Sequence, residues 1–153
     1  MTARSERAEA VRALLREARH GLLATSGLEP AGYPYGSLVQ LASTPAGEPV
    51  FLISHLAQHT KNLLADPRGS VLVQAASEGD PQQAARATLI GDARRLAAED
   101  EETARARFLE RHPDSATYFE LGFQLWALKP VEARYIGGFG AAVWVAGAEL
   151  LGS

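Results

Sequence analysis

The stretch EPVFLISHLAQHTKNLLADPRGSVLV, residues 48–73, decides how this chain is read. Val50-Phe51-Leu52-Ile53-Ser54 is a short unbroken apolar run bounded by turn residues, the pattern of a buried strand. Leu56 to Ala65 predicts a short helix that stops at Asp66-Pro67, because proline disfavours helix in the residue before it. Gly69 to Ala76 turns apolar again and predicts the next strand.

Working toward the N-terminus, Tyr35 to Ser43 reads as a strand separated from the Val50 strand by the turn Thr44 to Pro49. Gly21 to Thr25 is a third, reached through the glycine- and proline-bearing turn Gly27 to Pro34. Three strands with such short connections suggest an antiparallel meander. Before them, Ala8, Val11, Leu14, Leu15 and Ala18 recur at three- and four-residue spacing and form one helical face. Ser5 is the expected N-cap, with Glu6 and Glu9 in the first turn, and His20-Gly21 closes the helix.

Toward the C-terminus, a polar loop at Glu78 to Gln83 leads to a strand over Arg86 to Leu96. A helix is expected over Ala98 to Arg111, where acidic residues crowd the first turn, then a shorter one over Ser115 to Leu121. Phe123 to Leu128, Ala133 to Ile136 and Ala142 to Val145 supply the last strands. The sum is an α+β protein: one domain over residues 1–153, with about six or seven mostly antiparallel strands in a small barrel and peripheral helices.

Composition narrows the chemistry. The chain of 153 residues has a net charge of −3, so a nucleic-acid partner has no global electrostatic support. It has no cysteine, which excludes disulfides, thiolate nucleophiles and iron–sulfur ligation. No secretory leader or membrane-spanning apolar run is visible, and a cytoplasmic location without a membrane partner is expected.

The start of the helix after Val50–Ser54 concentrates polar groups. Ser54 and Thr60 offer hydroxyls, His55 and His59 imidazoles, and Lys61 a fixed positive charge beside unpaired first-turn N–H groups. That set suits a phosphate monoester, and it also suits an ordinary polar helix start. His55 and His59 are spaced i, i+4 but lack a third ligand nearby, so no metal site is expected. His20 and His112 fall at predicted helix ends, where imidazoles satisfy carbonyls. Arg86 sits where a rim arginine could stay in solvent or reach a bound anion. Tyr33, Tyr35, Phe123, Trp126, Tyr135, Phe139 and Trp144 read mostly as core, with one or two free to flank a planar ring. Gly137-Gly138-Phe139-Gly140 lacks the spacing and following helix of a dinucleotide fingerprint and reads as a bend between strands. No catalytic set can be assembled from spacing.

The order GLLATS, GYPYGSLVQ, EPVFLISHLAQHTKNLLADPRGSVLV, ARATLIGDARRL and ARYIGGFGAAVWV resembles the pyridoxamine 5′-phosphate oxidase-like, FMN-binding split-barrel superfamily, nearest its haem-utilisation branch. The resemblance covers roughly residues 8–146. It implies a split β-barrel homodimer with FMN across the interface. Ser54, His59, Thr60 and Lys61 would grip the phosphate, Tyr35, Gly36, Ser37 and Leu38 would line the ring, and Arg86 would stand near the flavin. The Gly137–Gly140 segment would come beside the cofactor from the same or the partner subunit. The implied activity is an FMN-dependent oxidoreductase acting on a small-molecule substrate, with a non-enzymatic flavin- or haem-binding module, or a dimeric barrel with an empty site, as alternatives. Haem-degrading relatives take a ligand from additional C-terminal sequence, whereas no histidine follows His112 here. The stretch Glu132 to Gly138 lacks the substrate motif of true pyridoxamine phosphate oxidases. Neither haem cleavage nor vitamin B6 oxidation is therefore expected.

Overall fold

The computed structural model describes residues 2–137 and 141–152. Seven strands form one antiparallel sheet: β1 (His20–Ser26), β2 (Pro34–Ser43), β3 (Pro49–Ser54), β4 (Arg68–Gln74), β5 (Arg86–Arg95), β6 (Phe123–Ile136) and β7 (Ala142–Ala146). Their order is β3-β2-β1-β4-β5-β6-β7, and β3 also pairs with β6. That pairing closes six strands into a barrel, with β7 added at β6. Among the described residues five α-helices surround it: α1 (Ala3–Glu17), α2 (Gln58–Ala65), α3 (Ala98–Arg111), α4 (Ala116–Glu120) and α5 (Gly147–Leu150). No helix is long and apolar enough to cross a membrane among the described residues.

The expected meander is present, since β1 pairs β2 and β2 pairs β3. The chain then crosses by α2 to β4 on the far side of β1. β3 explains why its sequence does not alternate. Phe51 and Ile53 enter the barrel core, while Val50 and Leu52 join a second cluster that includes Phe108 of α3. Both faces are covered, so both must be apolar. The predicted face of α1, Ala8, Val11, Leu14, Leu15 and Ala18, packs on the barrel cluster. That helix begins at Ala3, two residues before the expected cap at Ser5. Arg111 closes its other end, donating to Leu15 O at 3.0 Å, to Ala18 O at 2.8 Å and to Arg16 O.

One boundary differs from expectation in an instructive way. The two strands expected at Phe123–Leu128 and Ala133–Ile136 are a single 14-residue strand, β6. Proline cannot donate a ladder hydrogen bond, so Pro130 argues for a break. The strand continues because β5 shifts register opposite it, between Ile90 and Gly91. Only glycine allows that approach: a Cβ on Gly91 would lie 2.0 Å from Lys129 O. Gly138-Phe139-Gly140, part of the expected glycine bend before β7, lies outside the described residues.

Candidate functional site

The end of β3 and the start of α2 form a tight corner. Ser54 Oγ accepts from Leu56 N at 3.1 Å, and Ser54 O accepts from Ala57 N at 3.2 Å. Thr60 is buried, and its hydroxyl donates to the same carbonyl at 2.5 Å. Thr60 thus braces the corner from inside, with its proton already committed. α2 itself begins at Gln58, not at Leu56, with Ala57 as N-cap and no side-chain cap. No side chain caps its first-turn N–H groups, which lie at the positive end of the helix dipole. Lys61 is exposed on this helix and makes no ion pair among the described residues.

Asn62 fixes where that helix start points. It is fully buried, and its Oδ1 accepts from Leu28 N at 3.2 Å and from Gln58 Nε2 at 2.9 Å. Its Nδ2 donates to Thr25 Oγ1 at 3.0 Å, and Thr25 donates onward to Tyr35 O at 3.4 Å. One side chain thereby ties α2 to β1 and to the loop after it, and Thr25 carries the link on to β2. A second tie runs from His59 Nδ1 to Ser37 Oγ at 3.0 Å. Either tautomer of His59 leaves Nε2 enclosed with no partner. Burial pushes the His59 pKa below the ordinary imidazole value, so the ring is neutral at physiological pH.

Beside this corner lies an apolar strip on the outer face of the barrel. Antiparallel register sets His20 opposite Gln40, Leu22 opposite Leu38, and Ala24 opposite Gly36. Leu38 is 72% exposed and Leu22 49%, an unusual state for adjacent leucines. Gly36 has open space where a Cβ would stand, so no packing within the chain requires a glycine there. A groove of about 410 Å³ lies at the His20, Leu38 and Gln40 end of this strip, lined also by Tyr118 and Phe123 and reaching Ser54 and His59. The Tyr118 and Phe123 rings stack with centroids 5.0 Å apart.

The fold thus gathers Leu38, Ser54 and His59 at one groove, with Gly36 and Ser37 adjoining and Tyr35 at the exposed end of β2. Thr60 stands behind the corner. Arg86 is elsewhere: β1 and β4 separate it from β2, and its guanidinium donates to Gln82 O at 3.0 Å and Ala84 O at 3.4 Å. Within one chain it closes its own loop. His55 and His59, spaced i, i+4, do not share a helix, because His55 precedes α2, and the His55 Nδ1 meets Gly122 O at 3.2 Å. His20, expected at a helix end, is instead the first residue of β1 and lines the groove. His112 is the C-cap of α3, but its Nε2–H donates to Leu41 O at 2.7 Å across the fold. Sequence reasoning missed His20, Gln40 and Tyr118 as groove residues. The available signal was GLLAT, apolar at both parities of β1, which implies that its outer face is also meant to be covered.

The CREG β-barrel family profile matches residues 2–151 of this chain. The chain is 35% identical over 141 residues to the Arabidopsis thaliana protein named "Non-canonical heme oxygenase HOZ, chloroplastic", covering 92% of this chain and 43% of that one. It is similar to the solved structure of a haem binding protein from Mycobacterium smegmatis, with 31% identity, TM-score 0.86, and coverage of 99% of this chain and 61% of that one. An FAD-binding protein from Mesorhizobium loti shares the fold, with 14% identity, TM-score 0.67, and coverage of 87% and 92%. The chain spans less than half the length of the curated relative it matches.

Proposed function

The chain belongs to the CREG β-barrel family, near the haem-utilisation branch of the split-barrel superfamily, and from that premise we propose that it binds haem in the groove along β2. The observation that carries this reading is the open space before Gly36, flanked by exposed Leu38 and Leu22 and ending at an uncapped helix start. A flat apolar surface beside a positive helix end suits a planar group with an anionic tail. Haem is such a group, and two relatives above 30% identity are named for it. Leu22, Leu38 and the β2 backbone would meet the macrocycle, while the first turn of α2 and Lys61 would meet its carboxylates. When bound, haem supplies an iron redox centre. A second copy of the chain, covering the exposed leucines from the other side, belongs to the same proposal.

A second reading places FMN in the same groove. The specific observation in its favour is the missing side-chain cap of α2, because one phosphate can accept several first-turn N–H groups at once. In that reading the protein is an oxidoreductase whose hydride chemistry the flavin supplies. Absorbance titration of the full chain with hemin, with FMN, and with one in competition against the other separates the two. Saturable hemin binding that FMN does not displace supports the first reading, and the converse supports the second. If neither ligand saturates, the groove is not a cofactor site. Lys61→Ala should weaken the bound ligand by about 1–3 kcal/mol if its charge meets the anionic tail.

A further inference from the structure

The four histidines differ in what their ring nitrogens are doing. His112 is buried against Phe108, with Nε2 on the Leu41 carbonyl. His55 does not line the groove, and its Nδ1 bonds Gly122 O. His59 lines the groove, yet Nδ1 is held by Ser37 and Nε2 is enclosed by protein. His20 alone combines groove lining with an exposed ring. Its imidazole makes no hydrogen bond among the described residues, and its ring contact is an edge-on approach to His112 at 6.0 Å.

Position adds to availability. His20 opens β1 on the outer face, opposite Gln40 and two residues before Leu22. A strand fixes its backbone, so the side chain stands beside the apolar strip without any loop having to close. Across the groove stand Tyr118 and Phe123. The neutral imidazole is a common iron ligand, and a ring with both nitrogens uncommitted can offer one to a metal without breaking a hydrogen bond. Tyr118 is the competing donor, since its exposed phenol also borders the groove.

We infer that His20 supplies the protein ligand to the iron of haem held in this groove, an inference that rests on the haem reading above. Full-length wild type, His20→Ala, His20→Gln and Tyr118→Phe are each loaded with hemin, and Soret position and ferric EPR spectrum are recorded. His20 is exposed, so both His20 variants should melt with wild type. The expected result is an imidazole-ligated spectrum in wild type and Tyr118→Phe, its loss in both His20 variants, and its return on adding free imidazole. His20 variants with the wild-type spectrum overturn the assignment while leaving haem binding intact. A spectrum that changes only in Tyr118→Phe moves the ligand to the phenol. A wild type that takes up no hemin overturns the haem reading, and the His20 assignment falls with it.

Discussion

Asn62→Ala tests whether the helix that starts the site is held by the buried amide. The substitution removes three hydrogen bonds, those with Leu28 N, Gln58 Nε2 and Thr25 Oγ1. Gln58 is partly exposed and can turn to solvent, so its loss costs little. Thr25 keeps its bond to Tyr35 O. The Leu28 N–H is the group left without a partner beneath α2. Leu28 is 44% exposed, so its N–H can turn to water, and the net hydrogen bonds lost with Leu28 N and Thr25 Oγ1 cost about 1 kcal/mol each, roughly 2 kcal/mol together. At about 2–4 °C per kcal/mol for a domain of this size, the melting temperature should fall by roughly 4–8 °C. Circular dichroism melts and urea denaturation with an unchanged m-value measure it. A double-mutant cycle with Thr25→Val should recover a coupling of about 1 kcal/mol, because the two side chains share one bond. A loss under about 1 kcal/mol, or additive effects in the cycle, would refute the reasoning.

Three further outcomes follow from the same geometry. Leu38→Asp should leave the melting temperature within about 1 °C of wild type at high dilution, since the side chain is largely exposed, and in sedimentation velocity should abolish the self-association proposed above. Gly91→Ala should cost about 3 kcal/mol in urea titration, because the new methyl meets the Lys129 carbonyl across the bulge with nowhere to move. Acidification should destabilise the fold. Burial holds both His59 and His112 below the ordinary imidazole pKa, the Leu41 bond partly opposing this for His112. The unfolded chain therefore takes up protons that the folded chain does not, and stability falls as pH drops through about 6.5. The urea midpoint should be lower at pH 5.5 than at 7.5, and an equal or higher midpoint would count against neutral buried rings.

Local pattern made much of the fold legible. The α1 face, the β1–β2–β3 meander and the stop at Asp66-Pro67 all depend on neighbours in sequence, and all are where residue spacing puts them. What stayed hidden depends on partners far along the chain. The continuity of β6 through Pro130 needs Gly91, some forty residues earlier, and barrel closure needs β3 to meet β6. The candidate site divides the same way. The corner at Ser54 follows from strand–helix succession, whereas Tyr35 to Leu38 entered only through the family resemblance, and the groove joins Ser54 to Leu38. Thr60 reads as an anion donor by residue type, yet its hydroxyl proton goes to Ser54 O once the corner folds. His20 reads as a helix end because one residue decides between a cap and the first position of a strand. Arg86 could be placed on a rim, but not distanced from β2, without the strand order.

The central claim is that the strip along β2 receives a planar cofactor, and Gly36 is where it can be blocked without disturbing the fold. Among the described residues, its two chain neighbours aside, nothing lies within 4 Å of a Cβ built there, so Gly36→Trp should fold as wild type while filling the space in front of the strand. The decisive measurement is a hemin absorbance titration of the two proteins side by side. The predicted result is saturable binding with a Soret band in wild type and none in Gly36→Trp, at matched melting temperatures. Equal hemin affinity in both proteins would contradict it.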